Sequence, residues 1–228
     1  MKLMLAFDLD GVIYSSEPFL GEAYREAIAN VNLRRPNSFP RVPSTREILD
    51  HVGWPVPVIL ARLFPAVEAA AVDLLYAETL EVICARVERG EGILFPGVLD
   101  TLAHLQQAGF RLVVASNGRR RYIEAVLSSY GIAHHFAPLI TVDGGAVSSK
   151  AEILRAYIGQ EGLTPEQAVM VGDRASDVEA AVGVGCRFIG CDYGHGYRGE
   201  IEGAGPVVPS FSELPEAIAT ILPAPVLC

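Results

Sequence analysis

Residues 3–12 read Leu3-Met4-Leu5-Ala6-Phe7-Asp8-Leu9-Asp10-Gly11-Val12. An apolar run with no charge predicts a buried strand. The two carboxylates that follow it, two residues apart, fall where that strand should end. Strand side chains alternate between faces, so Asp8 and Asp10 can point the same way while the chain stays extended. Gly11 then allows the backbone to turn away. Two acids this close repel unless a cation or a proton lies between them. The stretch therefore predicts a reaction centre at the carboxyl end of a strand, and the rest of the chain must supply its other groups.

Further apolar runs are spaced as partners for that strand. Leu112-Val113-Val114-Ala115, Val169-Met170-Val171 and Cys186-Arg187-Phe188-Ile189 predict three strands, and Leu139-Ile140-Thr141-Val142 a weaker one. Helical patterns at 97–108, 119–130, 150–161, 175–183 and 212–221 lie between or after them. Strand and helix in alternation predict a parallel sheet covered on both faces, a Rossmann-like α/β core. Functional groups of such sheets gather at the carboxyl ends of the strands.

The stretch from about 17 to 88 differs, with helical patterns at 19–31, 45–52, 55–64 and 66–87 and no strand alternation. Pro18 suits a helix start, and Ser44-Thr45-Arg46-Glu47 has the form of a capping box. A proline-rich loop at 36–43 separates two of the helices. This reading divides the chain into an α/β core, 1–15 and 90–228, and an inserted all-helical cap, 16–89.

Each remaining strand end carries polar groups. Ser116-Asn117-Gly118 follows the second strand. Gly172-Asp173-Arg174-Ala175-Ser176-Asp177 follows Val169-Met170-Val171. Lys150 opens a helix after the weak strand. One chemistry unites them: a carboxylate attacks a phosphoryl group, a cation screens the acids, and a hydroxyl and a lysine hold the phosphoryl oxygens as charge builds. Taken singly, these groups also suit structural roles, such as a turn at Asn117-Gly118 or a helix cap at Asp177.

In order and spacing the four motifs resemble those of haloacid-dehalogenase-superfamily phosphatases with a helical cap, close to the phosphoglycolate phosphatase and β-phosphoglucomutase groups. The resemblance covers nearly the whole chain. It implies an aspartyl-phosphate on Asp8, with Asp10 as general acid and base. It implies Mg²⁺ held by Asp8, the backbone carbonyl of Asp10 and Asp173, with Asp177 supporting the metal shell. Ser116 and Lys150 would grip the phosphoryl group, helped by Asn117 and Gly118. The implied substrate is a small phosphorylated metabolite. A sugar-phosphate mutase working through the same intermediate is an alternative, mildly favoured by Val12, where many phosphatases have Thr. A phosphate-binding or regulatory module without turnover is another. The chain also departs from the family pattern at Ser15-Ser16, where many capped relatives have an acid before the hydroxyl.

Composition excludes other classes. The 228 residues are half hydrophobic and carry a formal net charge of −9. The basic run Arg119-Arg120-Arg121 is too short for a nucleic-acid footprint and reads as a solvated face, or as a place where one arginine meets a negatively charged substrate tail. No uncharged stretch approaches the ~20 residues of a membrane span. Cys84, Cys186, Cys191 and Cys228 lack zinc spacing and read as free thiols of a reducing compartment. Only five apolar residues follow Met1-Lys2 before Asp8, which predicts no signal peptide. The expectation is a soluble cytoplasmic enzyme. Tyr193-Gly194-His195-Gly196-Tyr197 reads as a glycine-rich surface loop, or as a contact to the cap.

Overall fold

The structure is a computed structural model that describes residues 3–222; Lys2 and Cys228 lie outside them, and the side chain of Arg198 is also not described. Its core is a five-stranded, wholly parallel sheet in the order β4-β1-β5-β6-β7. These strands are Met4–Phe7 (β1), Arg111–Val114 (β4), Ala168–Gly172 (β5), Arg187–Cys191 (β6) and Val207–Val208 (β7). β1 lies in the middle, between β4 and β5, and every one of its residues is buried. That explains why its sequence is an unbroken apolar run.

The period of two sorts the strand residues onto two core layers. Leu5, Phe7, Leu112, Val114, Val169 and Val171 face one layer; Met4, Ala6, Val113, Ala168 and Met170 face the other. Val98–Gln107 (α5), Arg120–Ser129 (α6) and Leu214–Ile221 (α10) cover the first face, and Lys150–Glu161 (α7) and Ala175–Val184 (α8) the second. Each large apolar side chain of β1 removed from water contributes about 1.5–3 kcal/mol.

Two short strands, Tyr14–Ser15 (β2) and Ile93–Leu94 (β3), pair antiparallel and join the two passages into and out of the cap. Tyr14 Oη donates to the Glu91 carbonyl (2.8 Å), and Tyr130 Oη donates to that of Gly92 (2.7 Å), which steadies the crossing. Between the passages stand four helices, Glu17–Arg34 (α1), Thr45–Leu49 (α2), Val56–Leu63 (α3) and Ala69–Glu88 (α4). The α2 start is a formed capping box: Ser44 Oγ accepts from the Glu47 amide while Glu47 Oε2 accepts from the Ser44 amide (2.9 Å). α4 packs against α1 within the cap and against α6 of the core, so the helical layer rests on the carboxyl ends of the strands.

The expected strand at 139–142 does not form. Its backbone groups are taken by side chains instead of by a ladder. The Leu139 carbonyl accepts from Arg120 (2.8 Å), the Ile140 amide donates to Tyr157 Oη (2.9 Å), and that hydroxyl donates to the Pro138 carbonyl (3.1 Å). Pro138 also has no amide to contribute. The segment instead runs into a 3₁₀ turn over Val142–Gly144. β2, β3, β7 and the short helix Arg198–Ile201 (α9) were too brief to carry a periodic signal.

Candidate active site

β1 delivers Asp8 to the carboxyl edge of the sheet, where its amide donates to the Val171 carbonyl (3.0 Å). The chain then leaves the extended form: the amides of Ile13 and Tyr14 both donate to the Leu9 carbonyl (3.0 Å each). Gly11 sits in this turn at φ +83°, and a Cβ there would collide with the Asp173 carboxylate. Any other residue would push the first motif away from the fourth.

Asp8, Lys150, Asp173 and Asp177 meet in one buried cluster, none more than 3% exposed. One oxygen from each of the three carboxylates lies within 4.8 Å of the others. Lys150 Nζ pairs with Asp8 Oδ2 (2.8 Å) and with Asp177 Oδ1. Burial alone would push the Lys150 ammonium down, but the carboxylates of Asp177 and Asp8 outweigh it and hold the pKa above its ordinary value. Asp177 Oδ2 accepts from the amides of Asp173 and Arg174 (3.0 Å each), locking the fourth motif around its own acid. Burial raises the pKa of both Asp173 and Asp177; for Asp173 the charges of Asp177 and Asp8 raise it further.

Three carboxylates against one ammonium leave formal negative charge in a dry site. Asp173 Oδ2 accepts from the amides of His195 (2.8 Å) and Gly196 (3.0 Å), whereas Asp173 Oδ1 is buried with no hydrogen-bond partner among the described residues. An orphaned carboxylate oxygen beside two further acids is a donor set suited to a hard divalent cation. The Asp10 side chain stands apart from that cluster. Its Oδ1 accepts from Tyr122 Oη (2.6 Å) and from Ser16 Oγ (3.2 Å). Desolvation, reinforced by the Asp8 charge, raises its pKa to about 7 despite those donors.

Ser116 is buried beyond the end of β4, and its Oγ accepts from the Gly118 amide (3.2 Å). Asn117 Nδ2 donates to the Gly53 carbonyl of the cap (2.9 Å), so this side chain joins the cap to the core. Asp8, Asp10, Ser116, Asn117 and Gly118 all line one cavity between core and cap; Lys150, Asp173 and Asp177 stand behind its floor.

The structure adds contacts at the site that the sequence did not assign. Tyr122 was legible only as a helical residue, and nothing in the pattern aimed it at Asp10. Arg119 corrects the solvated-face reading of the arginine run: it is 7% exposed, stacks 4.3 Å above the Tyr76 ring and donates to the Tyr76 carbonyl in α4. Arg120 and Arg121 pair with Glu124 and Glu81 on the surface, as a solvated face would. The 193–197 loop is more than surface. It supplies two amides to Asp173, His195 Nε2 meets Ser15 Oγ (2.9 Å), and Tyr197 touches Arg46 and Asp50 of the cap.

Fold and site together define a capped α/β enzyme with an acidic centre at the end of its first strand. The chain belongs to the haloacid dehalogenase-like hydrolase family, whose model matches residues 4–185. A phosphoglycolate phosphatase of Haemophilus influenzae (strain 86-028NP) is 30% identical over 224 residues, covering 92% of this chain and 96% of the relative. One from Vibrio cholerae is 32% identical over 217 residues, covering 89% and 90%. Among solved structures, a predicted phosphoglycolate phosphatase from Haemophilus somnus superposes with a TM-score of 0.81 at 23% identity, covering 94% of this chain and 97% of that one, which bears on the fold. CbbY from Rhodobacter sphaeroides, solved in complex with phosphate, has a TM-score of 0.75 at 26% identity, covering 94% and 96%. The expectation of a hydrolytic enzyme in this family holds, and so does the expected fold. No described helix is long and apolar enough to cross a membrane.

Proposed function

We propose that the protein is a Mg²⁺-dependent phosphatase that hydrolyses a small phosphate monoester through an aspartyl-phosphate on Asp8. One observation carries the reading: Lys150 at the start of α7 and Asp173 and Asp177 after β5 converge on Asp8 in a buried site, while Asp10 beside it is held apart with a raised pKa. An attacking carboxylate needs nearby positive charge to meet a phosphate dianion, and an acid must hold its proton near neutral pH to give it away.

In the first step an Asp8 oxygen bonds to phosphorus and the bond to the leaving oxygen breaks. Asp10 delivers its proton to that oxygen, so the alcohol departs neutral. In the second step Asp10 takes a proton from water, whose oxygen attacks the phosphorus. The aspartyl–phosphate bond breaks and inorganic phosphate is freed. Lys150 holds Asp8 in line and offsets its charge, and Ser116 and the Gly118 amide would meet phosphoryl oxygens. Asp8, Asp173 and the Asp10 carbonyl would hold Mg²⁺, with Asp177 behind them. The ion would neutralise the charge that gathers on the phosphoryl group. The curated relatives' name makes phosphoglycolate the first substrate to try.

The test is release of inorganic phosphate from phosphate monoesters by the purified chain. Mg²⁺ should support turnover and EDTA should abolish it. Asp8→Asn should lower kcat at least about a thousandfold while the chain stays folded by circular dichroism. Near wild-type turnover by that variant would refute the nucleophile. Isomerisation of a sugar phosphate without phosphate release would favour a mutase.

A further inference from the structure

The cavity above Asp8 lies between core and cap. Its two ends differ in chemistry. The core floor is polar, with Asp8, Asp10, Ser116 and Asn117. The cap roof is apolar: Leu20 of α1, Ile48 of α2, Trp54, Ile59 of α3, and Leu80 and Ile83 of α4 all face the space. Four helices and a loop of the cap thus present hydrocarbon toward the position a leaving group would take.

A leaving group is read by what that roof can satisfy. A sugar carries several hydroxyls, and each would need a partner once water is excluded. Among the residues of the roof, only the Tyr24 hydroxyl and the Trp54 indole N–H are polar. Arg119, the cation in the wall, is already engaged by the Tyr76 carbonyl and Thr79 of α4. Glycolate, with one methylene, would leave most of the apolar surface uncovered. An aromatic or branched aliphatic body would cover it, with room for one hydroxyl or ether oxygen near Tyr24.

We infer that this phosphatase acts on phosphate monoesters of apolar alcohols, aromatic or branched aliphatic, in preference to phosphoglycolate or sugar phosphates. This rests on the phosphatase reading of the same site and specifies its substrate class.

The test compares kcat/KM of the full chain with Mg²⁺ on benzyl phosphate, phosphoglycolate and glucose 6-phosphate. All three leave as ordinary alcohols, so chemistry alone favours none. Acetyl phosphate serves as a probe with almost no leaving group to recognise. Benzyl phosphate should exceed both others by at least about tenfold, the discrimination that a few buried methylenes supply. Leu80→Asn and Ile83→Asn, half-buried positions in the roof, should each reduce the benzyl-to-glycolate ratio at least about fivefold. That ratio is taken within one preparation, so any loss of folded protein cancels. A wild-type ratio below tenfold, or one that neither variant lowers, overturns the inference while turnover of acetyl phosphate keeps the phosphatase reading. Failure on every substrate, acetyl phosphate included, removes both.

Discussion

Lys150 is the residue on which the cluster turns. It is 3% exposed and lies between two carboxylates, with a third beyond them. Removing one partner of a buried pair costs about 3–5 kcal/mol, because the charge left behind has neither water nor a counterion. Lys150→Ala should therefore lower stability to urea by that amount in EDTA and abolish turnover; an unchanged unfolding midpoint would show that the pair carries no such weight. Tyr122 acts more locally. Its hydroxyl is the closer of the two donors on Asp10 Oδ1. Tyr122→Phe frees the carboxyl to rotate, and kcat should fall about three- to tenfold with KM little changed, as steady-state kinetics would read. Lys150 was visible in the sequence because the order of the motifs demanded a cation there. Tyr122 was not, because a helical pattern over 119–130 says which residues share a face and not what that face meets.

Among the elements, α2 shows a local signal fully realised. Ser44 and Glu47 satisfy each other's amides, and α2 carries Ile48 into the cavity roof. Ser44→Ala should cost about 0.5–2 kcal/mol, measured by chemical denaturation. The Glu47 pKa lies below its ordinary value, chiefly through the Ser44 amide, then the Ser44 hydroxyl and Arg41. The unfolded chain thus takes up this proton before the folded one does. The contribution is complete above the ordinary glutamate pKa and is lost as pH falls through the lowered folded value. Glu47→Gln should flatten the decline of melting temperature between pH 5 and pH 3 relative to wild type; parallel curves would contradict the assignment. The stretch 139–142 is the opposite case. Its apolar residues read as a strand, but Tyr157 and Arg120, from two separate helices, claimed its backbone groups. No local pattern reports partners brought in from elsewhere in the chain.

At the scale of the molecule, site residues and their neighbours hold the cap down. Asn117 donates to Gly53, Arg119 to Tyr76, and Arg174 to the carbonyls of Leu49 (3.4 Å) and Asp50 (3.0 Å). Each stands one to three residues from Ser116 or Asp173, so cap position and site geometry are coupled through the same loops. Arg174→Ala should raise hydrogen exchange across α2 and α3 while β5 stays protected, and should lower kcat/KM as water enters the cavity. Equal protection in the cap of both proteins would exclude the clasp. The sequence by itself determined the parallel core, the helical insertion and the acids at the strand ends. Those follow from periodicity, from turn chemistry and from charges too costly to bury without purpose. Only the tertiary structure decided that Tyr122 meets Asp10, that Arg119 is buried beneath α4, that the 193–197 loop caps Asp173, and that the cavity roof is mostly apolar. These depend on which faces of distant segments come together, and periodicity along one segment holds no record of its neighbours across space.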